Sequence, residues 1–151
     1  MRLPIQLEAI IYRRNKNDIE FLLLKRAPTM GDFWQSVTGG LESTEIFEEG
    51  YFREIREEAG IPKEKIIRVI KDVHHFQFES TVEDMTLIRT EFVRAFEVTH
   101  DAVVSLDKNI YVEHTEYRWC SLDEALALLK WDNTKNAIKR AYERIVALDK
   151  H

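Results

Sequence analysis

Glu54, Glu57 and Glu58 carry the most chemistry per residue in this chain, within the stretch GGLESTEIFEEGYFREIREEAGI from Gly39 to Ile61. The segment after Thr44 should be helical, because it lacks proline, has acids in its first turn, and ends at Gly60 followed by Pro62. A helix turns about 100° per residue, so these glutamates fall within an arc of roughly 100°. Phe52, Ile55 and Ala59 occupy a different sector, the one able to bury, and Glu48 also points toward it. An exposed wall of like charges weakens an isolated helix and requires a cationic counterpart. Clustered carboxylates suit a hard divalent cation such as Mg²⁺, which takes oxygen ligands and keeps waters and substrate phosphates in its shell. The chain offers no cysteine–histidine cluster for zinc. The competing reading is a solvated amphipathic helix in which Glu49 pairs with Arg53 at the i, i+4 spacing. Such a face would alternate in charge sign, and this one does not.

The elements that must position these acids can be read in order. Ile5 to Tyr12 is nearly continuous apolar sequence and predicts a mostly buried strand. Asn15 to Asp18 is a turn, and Glu20 to Lys25 resumes as a strand from which Arg26 emerges. Ala27 to Asp32 reads as a loop, and Phe33 to Thr38 as a short strand leading into Gly39 and Gly40, where a ligand could approach the backbone. Ile66 to Lys71 and Val73 to Glu79 look extended. Thr86 to Val98 alternates, with Ile88, Phe92, Phe96 and Val98 on one side and Arg89, Glu91 and Glu97 on the other. Ser80 to Met85 suits a hairpin loop, and His100 to Asn109 an exposed connection. Tyr117 to Trp119 is a short strand candidate. Ser121 to Glu124 forms a capping box opening a helix through about Leu129. Asp132 and Asn133 begin a last helix with Ile138, Ala141, Tyr142, Ile145 and Leu148 at helical spacing. Paired strands, a central helix and two C-terminal helices define a mixed α/β class.

With 151 residues, residues 1–151 are expected to form one domain with a proper core. The net charge of −5 argues against a nucleic-acid duplex as partner, since such proteins present basic surfaces. It would also repel a polyphosphate unless cations on the glutamate wall intervened. A single cysteine, Cys120, forbids an internal disulfide and fits a reducing compartment, with packing as its expected role. No apolar run approaches a membrane span, and the first residues lack signal-peptide architecture, so the cytoplasm is the expected location.

Gly39, five residues, Glu45, seven residues, then Arg53-Glu54-Ile55-Arg56-Glu57-Glu58-Ala59-Gly60-Ile61 is the pattern by which the Nudix hydrolases are recognised, matched without gap or substitution. The resemblance implies a Nudix α/β/α sandwich with a mixed β-sheet, and a Mg²⁺-dependent enzyme (Mn²⁺ able to substitute) that hydrolyses a diphosphate linked to another moiety. By similarity, Glu57 and Glu58 are principal metal ligands and Glu54 is either a ligand or the base. Arg53 would orient Glu54, Gly39 would offer its carbonyl to a metal, and Glu45 would be a structural acid. Nudix enzymes often recruit a glutamate outside the motif, for which Glu113 is the candidate.

Phe33 to Gly39, together with Glu113-His114, Tyr117-Arg118-Trp119, Trp131 and Asn133, resembles the bacterial enzymes that cleave dihydroneopterin triphosphate and dATP to the monophosphate and pyrophosphate. Similar Phe-Trp-Gln sequences occur in dinucleoside-tetraphosphate hydrolases, which stand as the alternative. A catalytically silent nucleotide sensor is a third reading, disfavoured because the motif glutamates are intact. The implied partner is a small nucleotide or pterin polyphosphate, and a homodimer is compatible with this reading. Arg26 is either a phosphate contact or a surface arginine, and Trp34 or Phe33 could stack a base or pterin. His74-His75 reads as strand surface.

Overall fold

The computed structural model describes residues 2–107, 109, 111 and 113–150. Met1 and His151 of the expected domain span, Lys108 of the expected connection, and Val112 beside Glu113 lie outside them. The elements in chain order are β1 (Arg2–Asn15), β2 (Asp18–Arg26), β3 (Trp34–Gln35), β4 (Val37–Glu42), α1 (Phe47–Ala59), β5 (Ile66–Val82), β6 (Met85–Val98), β7 (His114–Cys120), α2 (Leu122–Leu128) and α3 (Asp132–Leu148). All seven strands join one mixed sheet of order β3-β2-β1-β6-β5, with β4 paired to β1 and β7 to β2. β1 runs parallel to β6 and antiparallel to β2 and β4.

Helices cover both faces. Leu7, Ala9 and Ile11 of β1 pack with Tyr51, Ile55 and Ala59 of α1, whereas Ile10 and Tyr12 pack with Ile138, Ala141 and Ile145 of α3. This is the period-two alternation of a strand buried on both sides. The expected α/β sandwich is therefore present. Cys120 lies fully buried on the α3 side, where burial pushes its thiol up to about 11, consistent with packing rather than reactivity. Among the described residues no helix is long and apolar enough to cross a membrane.

Several expectations need correction. Glu91 and Glu97, read as the polar side of β6, are buried, and Ile88 is exposed. The sheet is covered on both faces where these acids lie, while the β5–β6 hairpin carries Ile88 past the helices. Glu97 meets Tyr12, Arg14 and Arg68. Glu48 is exposed, because the apolar stripe of α1 is buried only from Gly50 onward. Tyr142 and Leu148 lie at the exposed margin of α3. The two extended pieces around Asp72 are one strand, interrupted by a register shift where Asp72 takes φ 54°. The hairpin loop shrinks to Glu83 and Asp84, both at positive φ, which suits the tight turn between twisted strands. The connection from His100 is not simply exposed: Ala102 and Val104 are buried, and the Ser105 amide donates to the Ala59 carbonyl at 2.8 Å. A helix end leaves carbonyls without intrahelical partners, and this segment supplies one.

Gly60 closes α1 in the left-handed conformation, φ 68°, with its amide donating to the Arg56 carbonyl. A Cβ there would also stand 2.6 Å from the Ser105 carbonyl oxygen. Gly60→Ala is therefore expected to destabilise the fold by about 1 kcal/mol or more, read as a lowered Tm; an unchanged Tm would show that the helix end relaxes freely.

Candidate active site

α1 begins where the β4 strand ends, and Arg53 joins the two. Its Nε and Nη2 donate to the two oxygens of Glu45 at 2.6 and 2.9 Å, and Nη2 also donates to the Gly40 carbonyl at 2.9 Å. Its Nη1 donates to Glu54 Oε1 at 2.6 Å and reaches Glu57 Oε2 at 3.4 Å. Glu45 in turn accepts the Glu42 amide at 3.0 Å. The planar fork of a guanidinium makes such divided bonding available, and these carboxylates raise the Arg53 pKa further. Glu49 does not pair with Arg53; its carboxylate accepts the Ile46 amide at 3.0 Å and caps the helix start.

The acidic arc differs from the exposed wall that helical spacing suggested. Glu54 and Glu58 are 4% and 6% exposed, and only Glu57 reaches well into solvent. Glu54 lies directly against Gly39: a Cβ at that position would occupy the space of the Glu54 carboxyl group. Gly39 is thus required for close approach of a side chain to the strand. Burial pushes the Glu54 pKa from 4.5 to about 7, aided by the charges of Glu58 and Glu57 and opposed by Arg53.

Glu58 has both oxygens occupied. Oε1 accepts from Asn109 Nδ2 at 2.9 Å, and Oε2 lies 3.0 Å from His114 Nδ1. On its other side, His114 Nε2 lies 2.8 Å from Gln35 Nε2. Donation from the Gln35 amide to Nε2 leaves the ring proton on Nδ1, facing Glu58. His114 is buried at the first position of β7, just after Glu113. A register shift between Lys25 and Arg26 sets the β2–β7 pairing there, and Ala27 donates its amide to the Glu113 carbonyl at 2.8 Å. Arg26 sits 3.9 Å from Glu113 and donates to the Met30 carbonyl.

Ligand atoms of Glu54, Glu57 and Glu58 lie within 4.8 Å of one another, as do those of Glu58, Glu113 and His114. The structure therefore brings together Arg53, Glu54, Glu57, Glu58, Glu113 and Gly39, with Arg26 at the margin. The donor set is dominated by carboxylate oxygen and suits a hard divalent cation. His114 and Asn109, which spacing alone did not single out, hold Glu58 rather than adding obvious ligands. The adjacency of Glu113 and His114 at a strand start was the available signal. His74 and His75 join neither group of ligand atoms.

Trp34 lies elsewhere, in a chamber of about 340 Å³ on the α3 face of the sheet. Phe33, Trp34, Phe76, Phe78 and Trp131 form its aromatic walls. Phe33 meets Trp131 edge-on at 4.6 Å, and Arg118 covers Trp34 at 5.4 Å. Gln35 also lines this chamber, so the contacts Gln35–His114–Glu58 connect it with the acidic helix.

An α/β sandwich with clustered carboxylates on a helix over one face of its sheet and an aromatic chamber on the other has the makings of a hydrolase. A family model described as the NUDIX domain matches residues 4–142, and the chain belongs to the Nudix family as a Nudix hydrolase. Dihydroneopterin triphosphate diphosphatase of Escherichia coli K12 is 24% identical over 91% of each chain. An octanoyltransferase of Myxococcus xanthus is 31% identical over 80% of this chain, which spans only 31% of that protein's length. Among solved structures, a protein of Listeria monocytogenes assigned as a Nudix hydrolase has a TM-score of 0.82 at 27% identity, covering 97% of each chain. The Ap4A hydrolase of C. elegans has a TM-score of 0.73 at 22% identity, covering 95% of this chain and 98% of that one, a likeness of fold.

A carboxyl group with a folded-state pKa above its unfolded value binds its proton more tightly in the folded protein. Glu54 thus favours folding below about 4.5, and that contribution is lost as pH rises toward about 7. In metal-free buffer, wild-type stability is expected to fall across this window relative to Glu54→Gln, by up to about 1.4 kcal/mol per pH unit. Parallel Tm–pH curves for the two proteins would refute the shift. His114→Ala removes the Oε2 partner of Glu58 and is expected to weaken divalent-cation binding by about 10- to 100-fold in calorimetric titration; unaltered affinity would mean that Glu58 needs no such support.

Proposed function

We propose that this chain is a Mg²⁺-dependent pyrophosphohydrolase that cleaves a nucleoside triphosphate of the dATP type, or dihydroneopterin triphosphate, to the monophosphate and pyrophosphate. The observation carrying this reading is the link between Glu54, Glu57 and Glu58 and a chamber large enough for one flat ring. The E. coli dihydroneopterin triphosphate diphosphatase, matched over 91% of both chains, supports the pterin triphosphate part of this reading.

Glu57 and Glu58 would hold the cation with Glu54 and Glu113, and Gly39 would add its carbonyl. Mn²⁺ could take the same oxygen donors. When bound, the cation would offset charge on the phosphoryl oxygens and lower the pKa of a coordinated water. The protein's own contribution is chiefly positional. Arg53 fixes Glu54 against Gly39, and Asn109 and His114 fix Glu58. Glu54, where it is not a ligand of the cation, or Glu113 would take the proton of an attacking water. Arg26, beside Glu113, would meet a phosphate oxygen, and Trp34, in the chamber wall, would face the ring.

The test is a panel of triphosphates and dinucleoside polyphosphates with Mg²⁺, with pyrophosphate and orthophosphate measured separately. Pyrophosphate equal to monophosphate is the expected outcome. ATP released from diadenosine tetraphosphate, without pyrophosphate from any triphosphate, would assign the dinucleotide activity instead. Glu57→Gln should lower kcat by about 100-fold or more at an unchanged Tm, since its side chain is part-exposed. Near-wild-type turnover in the folded variant would remove Glu57 from the metal site.

A further inference from the structure

Glu8 and Glu91 are buried acids that the hydrolytic chemistry leaves unused. They are 1% and 4% exposed and both line the aromatic chamber, on the sheet face opposite Leu7 and α1. In the parallel β1–β6 pairing Gln6 stands opposite Glu91, and Glu8 follows two residues later on the same face. Two adjacent buried carboxylates cannot both ionise cheaply, and neither has an arginine or lysine partner in the described ion pairs. Burial drives Glu8 well above the usual carboxylate range, reinforced by its hydrogen bond to Glu91 and by that residue's charge, and opposed by a hydrogen bond with Ser36. Burial raises Glu91 as well, while hydrogen bonds with Glu8 and Gln6 oppose the rise. The pair is therefore eased by sharing a proton between Glu8 and Glu91, and Gln6 donates to Glu91.

One oxygen of this arrangement is left over. Glu8 Oε1 is buried and has no hydrogen-bond partner among the described residues. A buried acceptor left in that state is costly, and this one belongs to a residue that lines the chamber. The aromatic side chains of the walls suit a flat ring, and a carboxyl oxygen without a partner suits a hydrogen-bond donor on such a ring's edge.

We propose that Glu8 selects the substrate's ring: an exocyclic amino group on a nitrogen heterocycle donates to Glu8 Oε1, while Glu91 and Ser36 hold the carboxyl group in place. The inference rests on the chamber being the ring subsite of the triphosphate hydrolase. Rings of the aminopurine or aminopterin class meet the requirement. A ring with a carbonyl at the corresponding position sets one acceptor against another, and a ring without a substituent leaves Oε1 as it is.

The experiment compares dATP with the corresponding triphosphate lacking the 6-amino group, and with dITP, in which a carbonyl replaces it. The readouts are kcat/KM with Mg²⁺, and the Kd of the three monophosphates measured by calorimetry without metal. Wild-type protein is expected to prefer the amino ring by about 10- to 100-fold in both. Glu8→Gln should retain the preference, because its amide can donate to Glu91 and still present Oε1 as an acceptor. Glu8→Leu should lose it, handling the three rings alike in both readouts; Glu8→Met serves if the leucine variant melts early. Equal handling of the rings by wild type, or a preference that survives in the leucine or methionine variant, would overturn the proposal. Absence of all triphosphate hydrolysis would overturn the functional reading alone, since the monophosphate affinities still decide the role of Glu8.

Discussion

One guanidinium makes the acidic helix tolerable. Glu45, Glu54, Glu57 and Glu58 converge on a short stretch of chain, and like charges at such spacing oppose helix formation. Arg53 answers several of them at once and ties them to the Gly40 carbonyl, so that loop, helix and strand share a single cation. A lysine could not divide its bonding over these directions with the same geometry. The rest of the site follows from this joint: Glu54 is pressed against a strand with no side chain at Gly39, and Glu58 is turned toward β7.

The protein buries acids on both faces of its sheet, and the neighbours distinguish them. Glu54 has Arg53 beside it, which opposes the upward pull of burial and leaves its pKa at about 7. Glu8 has Glu91 instead of a cation, so burial raises its carboxyl well above the usual range unopposed by a positive charge, which suits it to hydrogen bonding. The same residue type thus performs different work according to what stands within hydrogen-bond reach.

Much of this organisation is legible in the residues themselves. The spacing from Gly39 to Ile61 shows the helix, its glycine stop and the acids that cluster, and Ser121 with Glu124 shows the start of α2. Periodicity tells which side chains share a face, but not what covers that face. That is why the burial of Glu54, Glu58, Glu91 and Glu97 could not be read in advance. His114 and Asn109 acquire their roles from a strand register and a connection far from α1 in sequence. The aromatic chamber likewise gathers residues from β3, β5 and the entrance to α3, a meeting that only the folded topology creates.

The chamber and the carboxylate cluster are built largely from different elements, joined through Gln35 and His114. Phe76 and Phe78 belong to β5, the last strand of the sheet order, whereas the acids belong to α1 and the β7 entrance. On the proposed reading, such a division would let the preferred ring change through substitutions in the chamber while the carboxylate cluster stays as it is. Retuning of that kind would leave the Arg53 joint and its glutamates undisturbed.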